Sequence, residues 1–539
     1  MQKRKTLMGI PLFLILACFL FSETTLIKNA NVYLPNGDYQ PDSFIVIEGA
    51  KISAIGLMKD LKEKIPDREF DVEGGFVYPA FIDSYYTGFL KTAAKKKEES
   101  SRGAGSPSVD KTSRKSLLER NYFITSKSID ALKLDASKAK KLISQGFAFL
   151  HIVPKNGIIS GTTGVVSLVS DKTQETVLVP EKFLALFYKT NSTAYPSTQA
   201  SVLAEIFQLK EDVSHYQKMK KAHYFHRSKR IPYQPELDIL LPYFKNKRQF
   251  LITVGNLVQH RMTDLLTAEL RVNPVLVASS DIWRRPVNSQ VEVIMPLKFK
   301  PPMGSRYAQM GDKYKKDVEK NLYPKKIAEF FKTHRRISLT APDTGDYKTL
   351  FKNIRTLIKY GVTETDIIRS LTETPAKLLD ISRYSGTLQV GKLASFFVSN
   401  KKIFEEKVEI KKAFVEGKFF DFKQKKGKVK PPAKNLTGKW LVKIESQMGN
   451  FELTMTIEQE GNDFTAELVS AMGKIEVQNG VVSGDEVTFS ASAPIGGQDT
   501  SMEFSGKIKG DKIEGTISIG SFGDANLVAT PENRQGGLK

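Results

Sequence analysis

The chain has 539 residues, 40% hydrophobic and 26% charged, enough apolar material for two or three domains; this excludes a disordered chain. Its 81 Lys plus Arg against 59 Asp plus Glu give a formal charge of +22. The basic residues are scattered in short clusters such as 95–97 and 423–430, with no nucleic-acid module beside them, so a solvated surface is predicted and nucleic acid is not a predicted partner.

Residues 1–22 have a basic start, an apolar run from Leu7 to Phe21 and then small and polar residues, the layout of a secretory signal ending at Ser22. The run is short for a spanning helix. Two alternatives are a lipid anchor on Cys18, after Ile15-Leu16-Ala17, and an uncleaved N-terminal anchor. All three readings place the bulk of the protein outside the cytoplasm, periplasmic or extracellular, and touch a membrane only through this segment. Cys18 is the sole cysteine, so a chain cleaved after it has neither a disulfide nor a thiolate metal site.

From Thr25, short apolar runs punctuated by Gly37-Asp38, Gly49 and Gly74-Gly75 predict a β-meander feeding a buried strand at Phe81 to Asp83. The same grammar returns over 385–422. Neither piece buries a core alone, so segments 23–80 and 385–422 are predicted to form one composite β-sandwich. Between them, 81–384 alternates strand candidates (GFAFLHIV, ISGTTGVVSLV, RQFLITVG, NPVLVASS, VEVIMPL, RISLTAP) with amphipathic helices, which predicts a parallel α/β domain. A distorted (β/α)₈ barrel of TIM type fits this count and length, and a doubly wound open sheet fits the pattern as well. Residues 91–116, rich in Lys, Ser and Gly, read as a mobile insertion on the barrel's face.

Residues 423–435 have the Lys and Pro content of a linker. From 436 to 530 the pattern is pure β, with turn signals at 460–463, 483–485 and 509–511, which predicts an up-and-down antiparallel β-barrel. Trp440, Val442, Ile444, Phe451, Leu453, Met455 and Ile457 are expected on its inner face. A filled interior and a ligand cavity are both compatible with this pattern.

Several motifs carry a family resemblance. Val77-Tyr78-Pro79-Ala80-Phe81-Ile82-Asp83 follows the strand-rich stretches Thr25 to Pro35 and Phe44 to Gly56. Ser370 to Leu379 and Gly386 to Ala394 resemble a helix with TxxPA followed by GxLxxGKxAD, with Ser395 in place of the aspartate. Taken together, the chain resembles the amidohydrolase superfamily, in its imidazolonepropionase-like group, over most of 25–422. Pro154 to Thr162, Tyr195-Pro196-Ser197 and Gly391 to Glu406 resemble a divergent subgroup of secreted Bacteroidetes-type proteins, in which relatives often sit beside an intact amidohydrolase.

The resemblance implies a divalent metal held by histidines at the ends of strands one, five and six, with an acid or base at the end of the last strand. Strand one in the family closes as PGFIDxHxH; here those two positions are Tyr85 and Thr87, and both are poor ligands near neutral pH. None of the six histidines falls at a family ligand position. His151 lies inside a strand and His215 on a helix. His223 and His226 form an HxxH among Lys and Arg, His260 follows its strand, and His334 precedes one. Asp343, after LTAP, is the displaced counterpart of the catalytic aspartate or an ordinary loop or helix-capping residue.

The expectation is an exported amidohydrolase-like protein with a degenerate metal site, a non-catalytic or accessory subunit whose partner is an intact paralogue. No cofactor is predicted. Tyr85, Tyr86, Thr87, Asn256, Ser279 and Asp281 are expected to line a polar cleft at the C-terminal face of the barrel. Two alternatives are a hydrolase of carbon-nitrogen bonds with unconventional ligands, the one reading under which a zinc-like ion enters, and an extracytoplasmic ligand- or protein-binding module.

Overall fold

In the computed structural model, residues 23–62, 65–90, 122–190, 195–225, 233–284, 287–300, 311–422, 431–446, 449–470, 473–495, 498–519 and 524–532 are described. The expected signal, the insertion at 91–116 and most of the linker lie outside them. The chain divides into two compact units, 1–423 and 424–539.

The first unit opens with β1 (Thr24–Tyr33), β2 (Tyr39–Glu48) and β3 (Lys51–Leu57), paired antiparallel in sequence. Two short strands, β4 (Arg68–Asp71) and β5 (Phe76–Pro79), lie parallel to successive halves of β1. The break between the halves falls at Asn29, which has φ 55° and accepts the Gly74 N–H on its carbonyl at 2.7 Å.

One residue after β5 the chain enters β6 (Phe81–Tyr86), the first stave of the barrel, and α1 (Ala136–Ile143) then leads to the parallel stave β7 (Phe147–Ile152). The chain next forms β8 (Ile159–Thr162) and β9 (Gly164–Ser167), one bent segment running antiparallel to its neighbours. β9 pairs with β7 and, on its other side, with β10 (Val177–Val179), while β8 pairs with β11 (Leu184–Phe187). From β11 on all staves are parallel: β12 (Phe250–Thr253), β13 (Val275–Val277), β14 (Val293–Pro296) and β15 (Ile337–Thr340).

The stretch ISGTTGVVSLV is therefore not the parallel strand expected for it. Only Val153 to Ile158 separate it from β7, and a parallel return needs a crossover of a dozen or more residues. Its bend at Thr163 is held by a polar cluster. The Thr163 hydroxyl oxygen accepts the Phe183 N–H at 3.1 Å and meets His151 Nε2 at 2.7 Å, and His151 Nδ1 meets the Ser84 carbonyl at 2.7 Å. A carbonyl only accepts, so Nδ1 carries the proton and Nε2 accepts from Thr163, a consistent neutral tautomer. Burial pushes the His151 pKa down to about 4.

Between β15 and β6 no backbone ladder forms, and side chains join the two staves. Asp83, 1% exposed, accepts the Thr340 hydroxyl at 2.5 Å, the Tyr347 hydroxyl, and the Tyr85 N–H at 3.0 Å. The Ser84 hydroxyl also donates to the Leu339 carbonyl at 3.4 Å. Burial pushes the Asp83 carboxyl up from its ordinary range, and the two donated hydroxyls oppose that. Among the helices, α2 (Gln199–Phe225), α3 (Pro235–Phe244), α4 (Leu257–Leu270), α5 (Tyr323–Thr333) and α6 (Tyr347–Lys359) follow their staves. α6 is capped by Asp346, accepting the Thr349 N–H, and buries Tyr347, Leu350, Ile354 and Leu357 at helical spacing, which brings Tyr347 to Asp83.

After α7 (Glu364–Leu371) and α8 (Glu373–Leu378), the strands β16 (Phe396–Ser399), β17 (Ile410–Val415) and β18 (Lys418–Asp421) return to the first sheet. β16 pairs antiparallel with β5, Phe396 opposite Pro79, so the two flanks form one sheet of order β18-β17-β16-β5-β1-β2-β3, with β4 on β1. Tyr78, fully buried, stacks on Phe397 at 5.4 Å and accepts the Ile403 N–H on its hydroxyl at 3.1 Å.

The second unit is a closed barrel of consecutive antiparallel strands, from β19 (Gly438–Ser446) to β26 (Asp524–Pro531), with β26 pairing back to β19. Trp440, Val442, Ile444, Met455 and Ile457 are buried in its core, with Phe451 and Leu453 partly buried against it. Phe489 and Phe504 stack at 4.7 Å, and the Phe504 ring covers the facing pair Gly506 and Gly515, where a Cβ on Gly506 would sit 2.4 Å from Phe504 Cζ.

Two outcomes follow from the barrel's polar joints. Asp83→Ala leaves the Tyr85 N–H and two hydroxyls without their acceptor and should cost about 2–4 kcal/mol in the first urea transition, whereas Asp83→Asn, which keeps an acceptor, should cost far less. His151 is depressed below its ordinary 6.5 in the fold, so on acidification the unfolded chain takes up its proton first. Stability should thus fall between pH 6.5 and about 4, by up to about 1.4 kcal/mol per pH unit. That contribution is read as the difference in pH slope between the wild-type protein and His151→Gln, and identical slopes would refute it.

Candidate functional site

In cyclic order the barrel runs β6, β7, the bent β8–β9 segment, β11, β12, β13, β14, β15, so β12 stands opposite β6. The Tyr85 hydroxyl lies 3.4 Å from Thr253 Oγ1 on β12. Tyr85 therefore reaches across the barrel at the C-terminal end of its staves, the end where this architecture places reactive groups. Burial pushes its phenol up to about 12, so the ring is neutral as well as bulky. Lys155, from the short connection after β7, holds its ammonium 5.7 Å above the ring.

The other expected residues separate into two groups. Thr87 lies near Tyr85 and its Oγ1 is 2.5 Å from Thr344 Oγ1, linking the chain beyond β6 to the chain beyond β15. Asp343, beside Thr344, has a side chain 66% exposed and pairs with Lys298 Nζ at 2.8 Å. The helix-capping role weighed for Asp343 belongs to Asp346. Tyr86 is 6% exposed, packed beside Phe89 at 5.4 Å; burial foremost, then the Asp83 charge, raises its phenol.

The second group is occupied by local partners. Asn256 is the N-cap of α4, accepting the Gln259 N–H at 3.0 Å, while Gln259 Oε1 accepts the Gly255 N–H at 2.6 Å. The N-x-x-Q spacing is that of a capping box, with the glutamine reaching the N–H one residue before the cap, and it is the signal by which sequence could have assigned Asn256. Ser279, 8% exposed, lies 3.0 Å from His260 Nε2. Asp281 accepts the Tyr323 hydroxyl and pairs with Arg284 Nε at 3.6 Å. Sequence reasoning missed Thr253, Thr340 and Tyr347, which no motif marks; each is identified by a partner more than 160 positions distant.

A divalent ion needs several imidazole, thiolate or carboxylate donors converging on one point. Among the described residues no three of His, Cys, Asp or Glu are grouped so as to hold one. His151 is fully buried in the β7–Thr163 joint, His215 is exposed on α2, and His334 Nε2 donates to the Val291 carbonyl at 2.8 Å at the opposite end of the barrel. His226, half of the HxxH pair, lies outside the described residues. The donors at the barrel mouth do not fit the metal that the fold family implies.

Residues 335–420 match the model of the Amidohydrolase family. Among solved structures, an amidohydrolase from Thermotoga maritima MSB8 is similar at 18% identity and TM-score 0.58, over 74% of this chain and all of that one. Molinate hydrolase matches at 13% identity and TM-score 0.43 over 75% of this chain and 96% of its own. Phenylurea hydrolase B matches at 12% and 0.43 over 74% and 97%. No curated protein matches the sequence. Residues 335–420 thus match the Amidohydrolase family, and the barrel with its flanking sheet shares the fold of the Thermotoga maritima amidohydrolase.

Proposed function

We propose that the protein is an exported, non-catalytic or accessory member of the superfamily, whose barrel mouth no longer assembles a divalent metal centre. The observation that carries this reading is the Tyr85 ring lying across the barrel to Thr253. Strand one and the stave opposite it are where the family's resemblance puts facing metal ligands, and here a neutral phenol and a hydroxyl meet there instead. The side chain both withholds a lone-pair donor and fills space that an ion and its water would need. Asp343 is paired with Lys298 and mostly exposed, which weakens the metal-free hydrolase alternative.

Export rests on the apolar N-terminal run; among the described residues no helix is long and apolar enough to cross a membrane. An accessory role fits a barrel kept intact around a blocked mouth, and an intact amidohydrolase is the partner that reading calls for.

Metal analysis of the purified protein, after loading with zinc and desalting, should find well under one equivalent per chain. One equivalent of zinc that Tyr85→His does not alter would sink the reading. As a check on the ring's space-filling role, Tyr85→Phe should change stability by less than about 1 kcal/mol, since it removes only a long hydroxyl contact. Tyr85→Ala should cost about 2–4 kcal/mol. Equal stability of the two variants would mean that the ring does not fill the barrel.

A further inference from the structure

At the other end of the barrel a cavity of about 290 Å³ opens between the start of β15 and the helices α7 and α8. Its walls include His334, Arg335, Asp366, Arg369, Ser370 and Thr374. Both arginines approach one oxygen: Arg335 Nη1 lies 3.3 Å and Arg369 Nη1 3.4 Å from Asp366 Oδ1. The second oxygen, Oδ2, accepts the Thr363 hydroxyl at 2.8 Å.

This arrangement is unbalanced. One carboxylate faces two guanidiniums, and each guanidinium meets it through a single nitrogen rather than as a bidentate fork. A planar guanidinium carries five N–H donors in fixed directions, so one shared oxygen leaves most of that capacity unused. Both arginine side chains are also substantially exposed, 72% and 42%, and the lining keeps one surplus positive charge. His334 adds no charge: burial lowers its pKa, with Arg336 nearby, and its Nε2 is bound to the Val291 carbonyl.

We infer that this cavity binds a small oxyanion, a carboxylate- or phosphate-bearing molecule bridging Arg335 and Arg369. The oxyanion supplies the acceptors that Asp366 alone does not, and one negative charge on it balances the surplus. The site lies at the N-terminal end of the staves, away from Tyr85, and does not depend on whether the barrel mouth is catalytic.

Titration calorimetry on the full chain, with inorganic phosphate and with succinate as separate probes at constant ionic strength, tests the inference and tells the two sources apart. Saturable binding of at least one probe is expected, with Arg335→Gln and Arg369→Gln each weakening it about tenfold through loss of a charge-assisted bond. Thr374→Glu, which places a carboxylate at the cavity wall, should abolish binding while circular dichroism reports an unchanged fold. This variant keeps the test valid if an arginine substitution fails to fold. Heat equal to that of sodium chloride for both probes, or the same affinity in Thr374→Glu as in the wild-type protein, overturns the inference.

Discussion

The barrel depends on how Asp83 joins its first and last staves. Every other neighbouring pair is held by backbone hydrogen bonds, which are local, repetitive and indifferent to side-chain identity. Between β6 and β15 that work passes to a buried carboxylate and the hydroxyls of Thr340 and Tyr347. The joint is chemically specific as a result. It needs an acceptor on β6, a donor on β15 and a donor projected inward from α6, and it fixes the helix to the seam as well as the two strands to each other. The buried Asp83 carboxyl is satisfied by three donors, the Tyr85 N–H and the Thr340 and Tyr347 hydroxyls.

The placement of the mouth follows from the same seam. Asp83 Oδ1 accepts the Tyr85 N–H, which anchors the backbone from which the tyrosine ring sets out toward Thr253. The residue that identifies the scaffold in the sequence thus also orients the residue that reaches across the barrel. On the far side, His151 binds the backbone of Ser84, between those two, so the short β6 segment is gripped from both neighbouring directions.

Much of this was legible in the sequence, and unevenly so. The alternation in 436–530 predicted consecutive hairpins, and β19 to β26 close in that order, because an up-and-down barrel is built from contacts between sequence neighbours. The motif ending in Asp83 and the TxxPA helix located the amidohydrolase scaffold. Apolar periodicity marks β8 and β9 as strands but carries no direction; the six-residue connection before them forbids a parallel return. Asn256, expected at the cleft, is a helix cap, and its spacing to Gln259 is the sequence signal for that role. The reach of Tyr85 to Thr253 was not legible at all, since it depends on which staves stand opposite each other, a property of the closed ring and not of any window of residues.

The reversed stave also reshapes the barrel's ends. In an all-parallel barrel each strand hands its following loop to the same rim, and those loops supply most of what varies between relatives. Here the chain turns back within Val153 to Ile158, so at that sector the rim receives a tight turn bearing Lys155, and the longer stretch after β9 emerges at the opposite end. One sector of the mouth is thereby withdrawn from loop diversification, while the far end gains a segment that an ordinary barrel would have spent on its reactive face.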